Sequence, residues 1–253
     1  MFKKLLNLAL PLILISAASF AQSHHNAYLK IDYITVETHE HESFRTFIEN
    51  DMHSLKQDRI SDSDILNWQV YEVVYPGSQN SSYNYVSITT SSSLNSFDFE
   101  VDDSDYSIRD NFSAPHSEIW KVRNSKYLDE NIEPNKYIRM DYMNVALGRE
   151  YEYQMLEDEI ALPLHTERMN RDIMQAWEMY ELIIPGGLNY GYNFATGNYF
   201  SELQHVEYGF DEELIRSQNS DVDMMQFFEN IRSARDLVKS ELWRLFHHIE
   251  TGD

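Results

Sequence analysis

The residues best suited to chemistry lie at the end of a predicted helix in the second half of the chain. His165 and Arg168 are three positions apart, so they share one face of that helix. A histidine that titrates near neutral pH beside a fixed cation could bind a carboxylate or transfer a proton. The alternative is a basic last turn that complements the helix dipole. The matching positions earlier in the chain are Lys56 and Arg59, so the cations recur and the imidazole does not.

A second candidate set consists of aromatic and amide side chains on predicted strands. Aromatic walls with a few convergent polar groups are typical of a small-molecule pocket. Tyrosine and tryptophan also fill the core of a barrel, because they bury large areas while one polar tip is satisfied. Both interpretations stay open. The set comprises Trp68, Tyr71, Tyr83 and Asn84, matched 109 positions later by Trp177, Tyr180, Tyr192 and Asn193.

Two acidic residues, Glu72 and Glu181, share predicted strand faces with tryptophan and aliphatic side chains. A buried carboxylate without a partner is costly, so it must be paired, protonated or at a cavity. Arg59 and Arg168 are the expected partners, because they recur at the same spacing. We predict a Glu–Arg pair at the helix–sheet junction in each half, with a ligand-facing acid as the alternative.

The beginning of the chain bears on export and on metals. The first 21 residues have a charged start, an apolar stretch interrupted by Pro11, and small residues at the cleavage spacing, which is typical of a signal peptide. Cleavage after Ala21 would place His24 third from a free amine, a nitrogen set that suits Cu(II) or Ni(II). The chain has no cysteine, which excludes thiol nucleophiles and Cys-ligated zinc or iron–sulfur sites.

Export and charge limit the partners. We predict a periplasmic or secreted protein without a membrane span after cleavage; an uncleaved anchor is the alternative. The net charge of −22 becomes −24 when Lys3 and Lys4 are removed. A protein this acidic is repelled by phosphate backbones and anionic lipid, so nucleic-acid binding is not expected.

An internal repeat organises the chain. Residues 28–88 align with residues 137–197 at an offset of 109 with 14 identities in 61 columns. A second match, Ser117 to Val122 on Ser240 to Leu245, has an offset of 123, so the second copy is longer before its last element. Self-similarity of this kind indicates a duplicated domain. The predicted boundaries are residues 22–130 and 131–253, after a signal peptide at 1–21.

Each copy predicts the order strand, helix, strand, strand, helix, strand, which is the split βαβ arrangement of a ferredoxin-like unit. Neither face of the second strand is polar, whereas a half-exposed antiparallel strand should alternate. We therefore predict an α+β fold in which two tandem ferredoxin-like repeats cover each other's sheets. Because one chain supplies both halves of this intramolecular barrel, the prediction is a monomer.

The pattern resembles the dimeric α+β barrel superfamily in a fused two-repeat form. It is similar to secreted bacterial proteins with a Trp-x-x-Tyr strand, a Pro-Gly turn and a Tyr-Asn-Tyr strand, over about residues 28–123 and 137–248. The superfamily includes cofactor-independent monooxygenases, haem-degrading enzymes, dehydratases and members without an assigned activity. The resemblance implies a fold, and no catalytic signature of those enzymes maps onto this chain.

Three functions follow as hypotheses. The leading one is an exported protein that holds a small, partly apolar molecule between helices and sheet. The second, implied by the resemblance, is a cofactor-independent monooxygenase or a haem-binding or haem-modifying enzyme, with His165 as the axial donor to haem. The third is a partner-binding structural protein that uses an apolar helix face between Asp223 and Ile231, if that face is exposed.

Overall fold

The computed structural model describes residues 27–78, 81–98, 112–128, 135–187, 189–218 and 223–250. The predicted signal peptide and His24 lie outside these residues. Within the described part, none of the helices has the length and apolar character that a membrane crossing requires.

The strands and the first long helix follow the predicted order in both halves of the chain. Between the third and fourth strands of the first half, where a second helix is predicted, the described residues contain a 3-10 turn, and residues 99–111 lie outside the described part. The strands are β1 (Tyr28–Val36), β2 (Asn67–Tyr75), β3 (Tyr85–Ser91), β4 (Phe112–Tyr127), β5 (Tyr137–Val145), β6 (Ala176–Ile184), β7 (Phe194–Phe200) and β8 (Arg235–Glu250). The helices are α1 (His41–Phe47), α2 (His53–Ser61), α3 (Glu150–Leu156), α4 (Leu162–Asn170), α5 (Glu212–Gln218) and α6 (Met224–Ala234). Short 3-10 segments occur at Thr38–Glu40, Leu94–Phe97 and Leu203–Glu207.

A π-helical turn joins the two parts of the long helix in each half. It spans Ile48–Met52 between α1 and α2, and Glu157–Ala161 between α3 and α4. The two turns are 109 positions apart, the offset of the sequence repeat. Single π turns inside α-helices are uncommon and are often found at functional sites. The irregularity is therefore a matched feature of the two halves.

The eight strands form one closed antiparallel barrel in the order β1-β3-β2-β8-β5-β7-β6-β4. Exchanging each strand of the first half for its counterpart in the second leaves this cyclic order unchanged. The halves meet at two strand pairs, β2 with β8 and β4 with β6, which we call the seams. Because the barrel closes, the sheet has no free edge for pairing with another chain.

The predicted burial of both strand faces is confirmed for β2. Tyr71 belongs to a buried cluster that contains side chains from strands of both halves and fills the barrel. Trp68 and Val70, on the other face, belong to a buried cluster with Phe44 and Ile48 of the first long helix. Each sheet is thus packed on its inner face by the opposite half and on its outer face by helices.

The lengthened segment of the second half contains α5 and α6. Phe227 of α6 is buried with Leu164 of α4, whereas Met225 is 74% exposed and Phe228 is 37% exposed. Asp223 caps α6 by accepting hydrogen bonds from the backbone of the first turn. The apolar helix face predicted between Asp223 and Ile231 is thus partly buried and partly exposed. Partner binding through this face stays a prediction.

Candidate functional site

The predicted Glu–Arg pairs are wrong. Glu72 accepts a hydrogen bond from Arg244 at 2.5 Å and lies 3.6 Å from Arg45, and Glu181 pairs with Arg123. The reason is strand register: Glu72 lies directly opposite Arg244 in the β2–β8 seam. Both glutamates are about a third exposed or less, with side chains at 30% and 27%, and they form surface cross-strand pairs.

The two recurring asparagines hold backbone. The Asn84 amide accepts from the Val36 amide group and donates to the Val36 carbonyl, at 2.9 and 2.8 Å. Asn193 makes the same two contacts with Val145, at 2.8 and 2.9 Å. Each side chain therefore fixes the end of a first strand against the following hairpin, which is a structural role.

The barrel interior contains three buried carboxyl groups that the sequence analysis missed. Glu118 accepts hydrogen bonds from Tyr33 at 2.6 Å, Trp120 at 2.9 Å and Tyr192 at 2.5 Å, and also from Tyr190. The available signal was the repeated Ser-Glu-x-Trp element, which places a glutamate at the same inward position in both halves. The other two carboxyl groups are those of Glu241, contacted by Tyr83, Trp243 and Lys239, and of Glu178, contacted by Tyr127, Tyr180 and Tyr199.

These interior contacts place the predicted tyrosines in the barrel core. Tyr71, Tyr83, Tyr180 and Tyr192 all contribute to the cluster that fills the barrel. The hydroxyls of Tyr33 and Tyr142, counterparts at the repeat offset, lie 3.0 Å apart. Burial raises the pKa of both hydroxyls well above the usual value, so they remain protonated and act as hydrogen-bond donors.

Trp177, His165 and Arg168 come together between α4 and the outer face of the second-half sheet. The rings of His165 and Trp177 stack at 5.3 Å, and an Arg168 N–H donates to His165 Nδ1 at 3.3 Å. All three side chains are buried. Burial, followed by the Arg168 charge, holds the pKa of His165 well below its usual value, so the imidazole is neutral. The contact agrees with the prediction that His165 and Arg168 share one face of the helix.

Further charged residues surround this group. Burial, with Arg139 as the next cause, lowers the pKa of Arg168 to about 10, and Asp141 opposes the shift. Burial likewise raises the pKa of Glu157, on the π turn, to about 7, against the effects of Tyr153 and Arg235. We call the set the interlayer cluster; its members are Arg139, Asp141, Glu157, His165, Arg168, Trp177 and Arg235.

Arg168 and its counterpart differ in how their guanidinium groups are satisfied. Arg59 donates through Nε to Asp64 at 2.8 Å, and its Nη2 lies 2.6 Å from the same carboxylate. The position that matches Asp64 is Ile173, which has no acceptor. Among the described residues, Arg168 Nε is buried without a hydrogen-bond partner. The backbone contact is the same in both halves, from Asp64 N to the Arg59 carbonyl at 2.9 Å and from Ile173 N to that of Arg168 at 3.0 Å.

The tryptophans show the same difference. Trp68 Nε1 donates to Ser87 Oγ at 2.8 Å. Trp177 Nε1 is fully buried and has no acceptor within the described part of the chain, although Thr196 occupies the matching position of Ser87. An unsatisfied buried donor costs about 1–3 kcal/mol, and native proteins contain few of them. Among the described residues, three such donors therefore lie in the interlayer cluster: Arg168 Nε, Trp177 Nε1 and Arg235 Nε. The counterparts of the first two, Arg59 and Trp68, are paired in the first half.

The residues present do not fit a haem ligated by His165. A guanidinium group only donates hydrogen bonds, so the contact with Arg168 makes Nδ1 of the neutral imidazole the acceptor and leaves the proton on Nε2. A haem-ligating histidine needs the opposite tautomer, with Nδ1–H donating to an acceptor. The same contact leaves neither ring nitrogen free to act as a base.

A shallow surface depression of about 340 Å³ lies on the opposite side of α4. It is lined by Asp158, Leu162, Pro163, Thr166, Glu167, Asn170 and Gln218, none of which belongs to the interlayer cluster. No group of three or more His, Asp or Glu side chains within the described ranges is arranged to hold a metal ion.

Comparison with known proteins identifies the fold. No protein-family model matches the chain, and no curated protein is significantly similar to it in sequence. A putative monooxygenase from Lactobacillus acidophilus has a similar structure, with a TM-score of 0.56 and 10% identity over 90% of this chain and 98% of that chain. A heme-binding protein from Thermus thermophilus has a TM-score of 0.52 and 10% identity over 88% and 92%.

A mutant chlorite dismutase from Candidatus Nitrospira defluvii, in complex with cyanide, is similar at a TM-score of 0.53 and 10% identity over 89% and 92%. At such identities the likeness concerns the fold alone. The chain has the α+β architecture of the dimeric α+β barrel proteins, with a closed eight-stranded antiparallel barrel and helices outside it.

Proposed function

We propose that this protein binds a small, partly apolar molecule that carries an anionic group, between α4 and the sheet of the second half. The observation that carries the proposal is the pair of buried donors without an acceptor, Arg168 Nε and Trp177 Nε1. A carboxylate is the group that a guanidinium recognises best, because two N–H groups fit its two oxygens. The stacked Trp177 and His165 rings supply the apolar surface beside it.

The charge distribution favours an anion at this position. Arg139, Arg168 and Arg235 contribute three cations to the interlayer cluster. Asp141 already accepts from Arg139 at 3.0 Å and from Ser240. The raised pKa of Glu157, about 7, reduces the negative charge that this residue contributes near neutral pH. The cluster therefore has cationic capacity that its own acids do not use.

The proposal selects the second half because the first half supplies its own acceptor. Asp64 neutralises Arg59, and Ser87 accepts from Trp68. An external carboxylate would have nothing to add there. We infer that the two halves are tandem ferredoxin-like repeats, supported by the matched element order, and that only the second is equipped for a ligand. We further propose export to the periplasm or exterior, on the signal-like first 21 residues.

A cofactor-independent monooxygenase is the second candidate. Its support is the fold that this chain shares with the putative monooxygenase. Oxygen uptake measured with aromatic acids that bind the protein would distinguish an enzyme from a binding protein. Uptake that depends on Arg168 would favour the enzyme; binding without uptake would favour a carrier.

The proposal is tested by calorimetric titration with benzoate, a small aromatic carboxylate. We expect Arg168→Gln to weaken benzoate binding by at least about tenfold, because a charge-assisted hydrogen bond to a buried partner contributes more than about 1.4 kcal/mol. Arg59→Gln is the matched control and should leave the affinity unchanged. Native mass spectrometry of protein from its own host should show a co-purifying small acid.

A second variant protects the test from a folding defect. Ile173→Asp supplies the carboxylate that the first half has at Asp64, so it should satisfy Arg168 and block benzoate while the protein stays folded. Equal losses in the Arg59 and Arg168 variants would contradict the proposal. So would a high-resolution crystal structure in which water alone satisfies Arg168 and Trp177 in the presence of saturating benzoate.

A further inference from the structure

Two imidazoles from distant parts of the chain meet on the first half of the molecule. His53 Nδ1 and His247 Nε2 lie 3.0 Å apart, and the rings are nearly perpendicular with centroids 5.2 Å apart. His53 begins α2 and His247 lies on β8, 194 positions later. Both are half-buried, so the pair is near the surface and within reach of a solvated ion.

Two backbone irregularities direct these side chains toward each other. His53 directly follows the π turn Ile48–Met52. His247 follows a register shift in the β2–β8 seam, where Val70 pairs with His247 and Tyr71 pairs with Leu245. Such bulges redirect a side chain and occur frequently beside functional sites.

The second half has the same irregularities without the imidazoles. The position that matches His53 is Leu162, after the second π turn, and the position that matches His247 is Asn124, after a register shift in the β4–β6 seam. Asn124 donates to Asp158 at 2.5 Å. The second half thus repeats the two irregularities, and only the first half places imidazoles at both positions.

The surroundings of the pair hold one of its rings in place. Trp68 packs edge-on against His247 at 5.6 Å and limits the movement of that ring. The imidazole ring is the commonest metal ligand in proteins.

We propose that His53 and His247 form a two-imidazole site for a divalent transition metal, with Cu(II) bound most tightly. Nitrogen ligands on one metal, each about 2.0–2.1 Å from it, lie about 3 Å apart when they occupy adjacent positions. The observed 3.0 Å separation therefore needs little rearrangement. Water would complete the coordination, and the order of affinities should follow the Irving–Williams series.

The test uses the full chain with His24→Gln, which removes the predicted amino-terminal copper site as a source of signal. Cu(II) titration followed by electron paramagnetic resonance should show one tight site with two equivalent nitrogen donors. His53→Gln and His247→Gln should each weaken that site by at least about tenfold and leave one nitrogen donor, since one imidazole cannot chelate. His248→Gln, the adjacent imidazole, should leave the affinity unchanged.

The competing explanation is a simple hydrogen bond between two neutral rings. In that case copper would bind equally weakly to the parent and to the double variant His53→Gln, His247→Gln, and the proposal would be overturned. Circular dichroism of each variant before titration confirms that a lost site is not a lost fold. If copper raises the unfolding temperature of the parent and not that of the double variant, this would support the site independently.

Discussion

One exchange of side chains, Asp64 in the first half for Ile173 in the second, decides whether a buried arginine has an acidic partner. The same backbone hydrogen bond occurs at both positions. Asp64 N donates to the Arg59 carbonyl at 2.9 Å, and Ile173 N donates to the Arg168 carbonyl at 3.0 Å. At this pair of positions the chemical difference between the halves lies in the side chains.

The Arg168 environment predicts the effect of Ile173→Asp on stability. The new carboxylate should accept from Arg168 Nε, and a hydrogen bond to a charged group contributes about 1.5–3 kcal/mol, less the apolar burial that Ile173 loses. We expect the free energy of unfolding in urea to rise by about 1 kcal/mol. The converse variant, Asp64→Ile, should lower it by about 2 kcal/mol. If the free energy of unfolding falls in both variants, Arg168 Nε already has a hydrogen-bond partner in the wild type.

The tryptophan pair gives a matched prediction. Trp68→Phe and Trp177→Phe remove similar buried volume, but only the first breaks a hydrogen bond and leaves Ser87 without its donor. Trp68→Phe should therefore destabilise the protein by about 1 kcal/mol more than Trp177→Phe, measured by chemical denaturation without added ligand. Equal losses would indicate that Trp177 Nε1 has an acceptor, such as a bound water.

The sequence predicted the identity of several important residues and not their partners. His165 and Arg168 share a helix face at a spacing of three, and their contact follows from helix geometry. Glu72 was assigned to Arg59 because both recur, whereas the actual partner, Arg244, is set by the register of a seam between strands 172 positions apart. Register across a closed barrel depends on tertiary packing, which a repeat pattern does not contain.

At the scale of elements, the π turn places Glu157 under the long helix of the second half. Its counterpart is Ile48, so the first half has an apolar side chain at the same depth. The element order, the strand positions and the barrel closure were predictable, because each rests on periodicity and repetition. The π turns were not, because no local sequence signal distinguishes them from continuous helix.

Glu157 predicts a pH dependence of stability. Its pKa rises from 4.5 to about 7 on folding, so the folded state holds the proton more tightly than the unfolded state. Stability from this group is greatest below pH 4.5 and is lost as the pH rises through about 7. Over that range the wild type should lose up to about 3 kcal/mol relative to Glu157→Gln, from about 1.36 kcal/mol per pKa unit.

Urea denaturation of both proteins between about pH 4 and pH 8 measures this difference. Other carboxyl groups contribute equally to the two proteins and cancel. Parallel stability curves would mean that Glu157 titrates normally and that the polar surroundings of the π turn are more solvated than the structure shows.

For the whole molecule, we expect a single chain in solution. The described strands close into a barrel without an unpaired edge, so a second copy could not extend the sheet. We expect multi-angle light scattering to give the monomer mass of about 29.9 kDa, or less by the weight of a removed signal peptide. A stable mass twice as large would contradict this expectation and direct attention to Met225 and Phe228.

The seams have a consequence for how the molecule comes apart. Every strand pair that joins the halves uses β4 or β8. If one half unfolds, the other half therefore loses the hydrogen-bond partners of its edge strands. We expect calorimetry to record one cooperative unfolding transition. A protease cut anywhere between residues 128 and 135 would sever the covalent link between the halves and leave both seams intact. The two fragments should stay associated as a heterodimer held by the β2–β8 and β4–β6 ladders.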